Sequence, residues 1–237
     1  MVRVYATPAA GGASHWGTVV LCHELPREPD RGTEAGNGYP PLADRLAQEC
    51  ACRVVVPMLR GTSGSGGDFS ANGWFEDLAA VADHEAGPDG HLWLIGFGFG
   101  GAVALRAAVE DPRVRGVASI AGPADLTAWV SNHDKVLDRC RRSGVISTPG
   151  FPADLDAWTE DIVALAPLDA AAHLGSRPLL VIHGSDDDEV PVAAARAIAD
   201  AATEGPADLR IVPAAGHWLR ADPRVVATLV GWIERHR

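Results

Sequence analysis

The 237 residues suffice for one α/β domain with a sizeable core, and 47% hydrophobic against 22% charged residues is the balance of a globular chain, not a disordered or fibrous one. Acidic residues outnumber basic ones, 31 to 20, for a net charge of -11, and no Lys or Arg run forms the stripe that a phosphate backbone requires, so nucleic acid is excluded as the expected partner. No apolar run approaches the ~18 residues that span a bilayer, and the N-terminal MVRVYATPAAGG lacks a charged head with a long apolar core, so no membrane association and a cytoplasmic location are expected.

In chain order, apolar or β-branched runs predict strands over 3–6 and 18–22, then a helix over 41–49 and a strand over 53–56. A helix over 74–84, a strand over 92–95, a helix over 100–110 and a strand over 114–120 follow. The C-terminal part predicts a strand over 179–182, a helix over 192–202, a strand over 209–212 and a helix over 223–234. That alternation is the signature of a mostly parallel sheet with helices on both faces, in one domain spanning 1–237. Residues 123–176 break the rhythm and read as short helices, two or three of them, carrying Trp129, Phe151 and Trp158. Their expected place is a small helical cap above the carboxyl edge of the sheet, where ligands bind; the alternative is a purely structural excursion.

The strand around HLWLI runs into GFGFGG and then into a helix, which is the strand, sharp turn and helix of a nucleophile elbow. Gly96 and Gly100 stand at its flanking positions, where crowding demands small residues, so Gly98 occupies the nucleophile's seat and has no side chain to attack with. Downstream, LLVIHGSDDDEVP ends a strand in an acidic cluster, and PAAGHWLR places His217 in a loop before the terminal helix. The order of elbow, acid and histidine resembles the α/β-hydrolase superfamily along nearly the whole chain, with the small bacterial esterase-like and peptidase-like members nearest. RGTSGSGGDFS and GWFEDLAAVADH resemble the family's glycine-rich loop and the helix after it.

The resemblance implies an α/β-hydrolase fold with Asp187 as triad acid, His217 as triad base, and the backbone N–H groups of Leu25 and Phe99 as the oxyanion hole. Two positions depart from the pattern. Gly98 replaces the serine, and Glu24 replaces the glycine after the histidine in TVVLCHELP, where a carboxylate would oppose the charge an acyl-transfer transition state develops. The sequence is equally that of a hydrolase that lost its serine naturally and of one altered by design.

GFGFGG also fits G-x-G-x-x-G, but three strands precede it and the nearest acid, Asp125, lies beyond the next strand, against a dinucleotide site. Ser63, Ser65, Ser119 and Cys22 are the other candidate nucleophiles, and none sits on a strand-to-helix turn. Asp186 and Asp188 read as solvated or turn-forming, His23 and His183 as strand-end hydrogen-bonding groups, and His15, His84, His91, His133, His173 and His236 as surface or capping residues. Cys22, Cys50, Cys52 and Cys140 have neither C-x-x-C nor zinc spacing and read as reduced, partly buried thiols. No cofactor or metal is called for. Three readings follow: a hydrolase in ancestry without serine-type acyl hydrolysis, a non-covalent enzyme using His217 and Asp187 as general base, and a non-catalytic protein that binds a small ligand or a partner. The cap aromatics point to an apolar ligand.

Overall fold

The computed structural model describes residues 1–7, 16–26, 38–86 and 90–237, which leaves His15 outside the described residues. Seven strands, β1 (Arg3–Ala6), β2 (Thr18–Cys22), β3 (Arg53–Met58), β4 (Leu92–Phe97), β5 (Val114–Ile120), β6 (Leu179–Gly184) and β7 (Ala207–Val212), form one sheet in the order β1-β3-β2-β4-β5-β6-β7. Among the described residues, only β1 runs antiparallel to its neighbour and every other pairing is parallel. Central strands of a covered parallel sheet are buried on both faces, and β2, β4 and β6 are buried at every residue.

Successive side chains of these strands feed opposite cores. Val20, Cys22, Leu92, Leu94, Val117 and Val181 enter one with α2 (Ala71–Ala86), α3 (Phe99–Glu110) and α8 (Val192–Ala201). Val19, Leu21, Val54, Trp93, Ile95 and Ile182 enter the other with α1 (Pro40–Cys50) and α9 (Pro223–His236). All four cysteines are free and buried, with Cys22 in the first core and Cys50 and Cys52 in the second.

The observed elements follow the expected ones, with informative differences at their ends. β3 runs through Pro57 to Met58, although a proline inside a strand argues for stopping before it. Pairing with β2 has ended at Val20 opposite Val55, and Pro57 faces only β1, so its missing N–H breaks no ladder on the β2 side. Between β5 and β6 lie four short helices rather than two or three: α4 (Thr127–Val130), α5 (His133–Arg142), α6 (Leu155–Ala164) and α7 (Pro167–Ala172). Among the described residues no helix is long and apolar enough to cross a membrane.

Candidate active site

The carboxyl ends of β2, β4, β6 and β7 bring Glu24, Gly98, Asp187 and His217 to one edge of the sheet, where Glu24, Gly98 and His217 line a cavity of about 310 Å³. Gly98 is the N-cap of α3, at φ 52° and ψ -125°, a conformation that strains any residue with a side chain. Its N–H donates to Ile120 O at 2.8 Å and its carbonyl accepts from Gly101 N at 2.9 Å, so the turn is locked on both sides. A Cβ at Gly98 would lie 3.4 Å from His217 Nε2, whereas one at Gly96 or Gly100 would strike backbone oxygens at 2.2 and 2.4 Å. Of these three glycines, Gly98 is therefore the one whose side-chain direction leads to the imidazole.

His217 is held from behind. Its Nδ1 lies 2.9 Å from Asp187 Oδ2 and donates to it, which leaves Nε2 facing the cavity. Asp187 Oδ1 accepts from the N–H groups of Glu189 and Val190, both at 2.9 Å. Burial alone would raise the Asp187 carboxyl, but the Val190 N–H, His217 and the Glu189 N–H reverse it and hold the group below its ordinary range. His183 also approaches Asp187 Oδ2, at 3.1 Å, while its Nε2–H donates to Val190 O at 2.9 Å. The fully buried His183 is thus a fixture of the acid loop, as its strand-end position suggested.

His23 is a fixture too. The Leu59 N–H donates to its Nε2 at 3.2 Å, so Nδ1 carries the hydrogen and donates to Glu24 O at 3.0 Å. Burial lowers its pKa to about 4 and keeps it neutral. Asp186 is an exposed turn residue bonded to Ser185 Oγ at 2.6 Å, and Asp188 is exposed at the cavity rim. Of the other candidate nucleophiles, Ser65 is taken up by Met58 O and the Arg3 N–H, and Cys22 is fully buried with its thiol pushed up by desolvation. Neither these nor Ser63 or Ser119 lines the cavity.

Leu25 and Phe99 line the cavity, and their N–H groups have no acceptor among the described residues. Glu24 lines the same cavity. Its Oε2 lies 3.6 Å from His217 Nε2, and its Oε1 accepts from Arg220 Nη1 at 3.1 Å. Glu189 Oε2 is a second carboxylate oxygen, 3.7 Å from Nε2. Burial raises the Glu24 carboxyl to about 7 against the opposing pull of His217 and Arg220, with Glu189 adding to the rise. Glu189 and Arg220 escaped the sequence reading; the former sits two residues beyond Asp187 inside the acidic run, and the latter ends the quoted PAAGHWLR.

Trp129 of α4 stacks on Phe99 at 5.2 Å, and Lys135, Val136 and Arg139 of α5 complete the wall. Trp158 instead is buried, donating from Nε1 to Phe69 O at 3.1 Å, and Phe151 stands away from the cavity. The wall is thus mixed: Leu25, Phe99, Trp129 and Val136 face a set of ionisable side chains.

The chain belongs to the alpha/beta hydrolase family, whose sequence pattern it matches over residues 19–229. No curated protein matches it in sequence. Among solved structures it is similar to the meta-cleavage product hydrolase CumD of Pseudomonas fluorescens IP01, with 18% identity and a TM-score of 0.69 over 100% of this chain and 95% of that one. A thermophilic esterase from Thermogutta terrifontis shares 23% identity at a TM-score of 0.69, covering 100% and 94% of the two chains. An alpha-beta serine hydrolase homologue from Coxiella burnetii shares 21% identity at a TM-score of 0.64, covering 99% and 90%. Likeness at these identities carries the fold.

Proposed function

We propose that this protein is an alpha/beta hydrolase of esterase-like ancestry in which Gly98 holds the nucleophile's place. Serine-type acyl transfer is then absent, and His217 oriented by Asp187 acts as a general base on a bound small molecule without a covalent step. The observation that carries the reading is the 3.4 Å between a Cβ built at Gly98 and His217 Nε2, with Asp187 2.9 Å behind the ring. Loss of the serine from such a triad costs on the order of a millionfold in turnover, so the base is what remains to do chemistry. On this reading α4 and α5 act as the cap, and the ligand presents an apolar face to Trp129 and a polar one to His217.

The test restores the hydroxyl. The added Cβ would meet Glu24 Cβ at 3.0 Å, so Gly98→Ser is paired with Glu24→Gly to clear the space. The parent is expected to leave p-nitrophenyl acetate at the buffer rate, and the double variant to hydrolyse it with an initial burst. Rapid hydrolysis by the parent, with an acetylated protein in the mass spectrum, would refute the reading. Capture of a ligand without conversion is the second reading, favoured by the flat wall that Trp129 makes on Phe99. Compounds that stabilise the parent, recovered chemically unchanged from both parent and His217→Ala protein, would decide for it.

A further inference from the structure

Glu24 is anchored as though its direction mattered. Arg220, which binds Oε1, lies 5.7 Å over the Tyr39 ring and 5.5 Å over the Trp218 ring, and the Tyr39 hydroxyl accepts the Glu24 N–H at 3.3 Å. The clamp leaves Oε2 aimed at His217 Nε2, 3.6 Å away, and 3.6 Å from a Cβ built at Gly98. Leu25, next in the chain, and Phe99 offer N–H donors from the walls of the same cavity. An ionised carboxylate beside these donors would repel an oxyanion, whereas a neutral carboxylic acid would donate a further hydrogen bond to it. Burial favours the neutral acid, raising Glu24 to about 7.

We propose that Glu24 and His217 form an acid–base pair acting on a carbonyl compound with an acidic C–H beside the carbonyl. The proposal rests on the general-base reading and names its substrate class. His217 Nε2 takes the α-proton, and the C–H bonding pair becomes the C=C bond of an enolate whose oxygen is met by the N–H groups of Leu25 and Phe99. The Glu24 Oε2–H protonates that oxygen to give the enol. In the reverse direction Glu24 takes the hydroxyl proton and the His217 imidazolium returns a proton to carbon, so the net change is α-hydrogen exchange or keto–enol isomerisation. The step consumes no oxidant or second reactant. The groups facing the pair are Asp187 at Nδ1, Glu189 at 3.7 Å from Nε2, Arg220 at Oε1, Tyr39 at the Glu24 backbone, and Asp188, Lys135 and Arg139 around the cavity.

The experiment follows the exchange of the α-hydrogens of phenylpyruvate in D2O by NMR, with parent, Glu24→Gln, Glu24→Asp and His217→Ala proteins, each shown to be folded by far-ultraviolet circular dichroism at every pH used. The parent is expected to exceed the buffer rate by about a hundredfold or more, the scale of general acid–base catalysis. Its rate should fall as the pH rises through about 7, where Glu24 loses its proton. Glu24→Gln should lose most of the acceleration and that pH-dependent fall while leaving KM nearly unchanged, and Glu24→Asp should recover part of both. If His217→Ala abolishes exchange but Glu24→Gln keeps the parent's rate and pH profile, the general base stands and the pairing with Glu24 is overturned. Exchange by the parent at the buffer rate overturns the substrate class, while restored ester hydrolysis in the Gly98→Ser, Glu24→Gly protein still reports separately on ancestry.

Discussion

Gly96, Gly98 and Gly100 stand two residues apart at the turn between β4 and α3, yet a methyl group on each would meet different neighbours. At Gly96 it would strike Gly100 O at 2.2 Å, and at Gly100 it would strike His23 O at 2.4 Å, both of them backbone atoms. Gly96→Ala and Gly100→Ala are therefore expected to lose about 3 kcal/mol or more in urea unfolding, beyond ordinary overpacking, because the strand or helix must move. Gly98→Ala meets side-chain atoms alone, Glu24 Cβ at 3.0 Å and His217 Nε2 at 3.4 Å, together with the positive φ, and should cost about 1–3 kcal/mol. Equal losses at all three positions would mean that position 98 has no privileged opening. Glu24 makes a pH-dependent contribution whose sign follows from its raised pKa. An acid that binds its proton more tightly when folded adds stability below its unfolded value near 4.5, and that contribution is lost as the pH rises through about 7. The amount is on the order of 3 kcal/mol at most. Glu24→Gln should therefore flatten the stability curve between these pH values and make the protein relatively more stable above pH 7; parallel curves for the two proteins would contradict this. The contact between Asp187 and His217 was legible because each follows a strand in a fixed chain order. Glu189 and Arg220 were not, because their place in the site comes from side chains crossing between loops, as Arg220 does to reach Glu24.

Strands were the most legible elements, since a parallel sheet covered on both faces leaves apolar runs such as the VVLC of β2 and the LLVI of β6. The insertion was less so. α4 has four residues, and α5, HDKVLDRCRR, buries only Leu137 and Cys140, so neither carries enough apolar periodicity to mark its ends. The insertion also divides in its packing. α4 and α5 supply the cavity wall, while α6 and α7 pack against α2, α3 and α8 in the outer layer. Arg139 links α5 to the Glu24 loop, donating to Leu25 O at 3.1 Å and to Pro26 O at 3.3 Å, with its guanidinium 5.7 Å over the Trp129 ring. Arg139→Ala removes the hydrogen bonds and the ring contact together. Hydrogen exchange should then quicken across α4, α5 and the Leu25 segment, with a global loss of only about 1–2 kcal/mol. Protection unchanged in α4 and α5 would show that these helices are held by other contacts.

At the scale of the whole molecule the sheet separates two cores, and the insertion joins only one of them. The joint is aromatic: Phe69 meets Trp74 at 5.0 Å, Phe99 at 5.4 Å and Trp158 at 6.1 Å, each edge-on. These contacts connect the glycine-rich loop, α2, the elbow helix and α6 through fully or nearly fully buried rings. Because Phe99 begins α3 immediately after Gly98, the elbow is packed through the same cluster that secures the insertion. The insertion and the elbow should therefore unfold together, giving coincident thermal transitions by tryptophan fluorescence and far-ultraviolet circular dichroism. Trp158→Ala tests the joint directly, since it empties a buried indole site and takes the donor from Phe69 O. The expected loss is about 3–5 kcal/mol, or roughly 10 °C in Tm for a chain of this size, with the transition still single. Two separated transitions in the parent, or a Trp158→Ala protein that melts with the parent, would place the insertion outside the cooperative core. A cooperative loss would mean that α6 and the turn between β4 and α3 stand or fall as one structure.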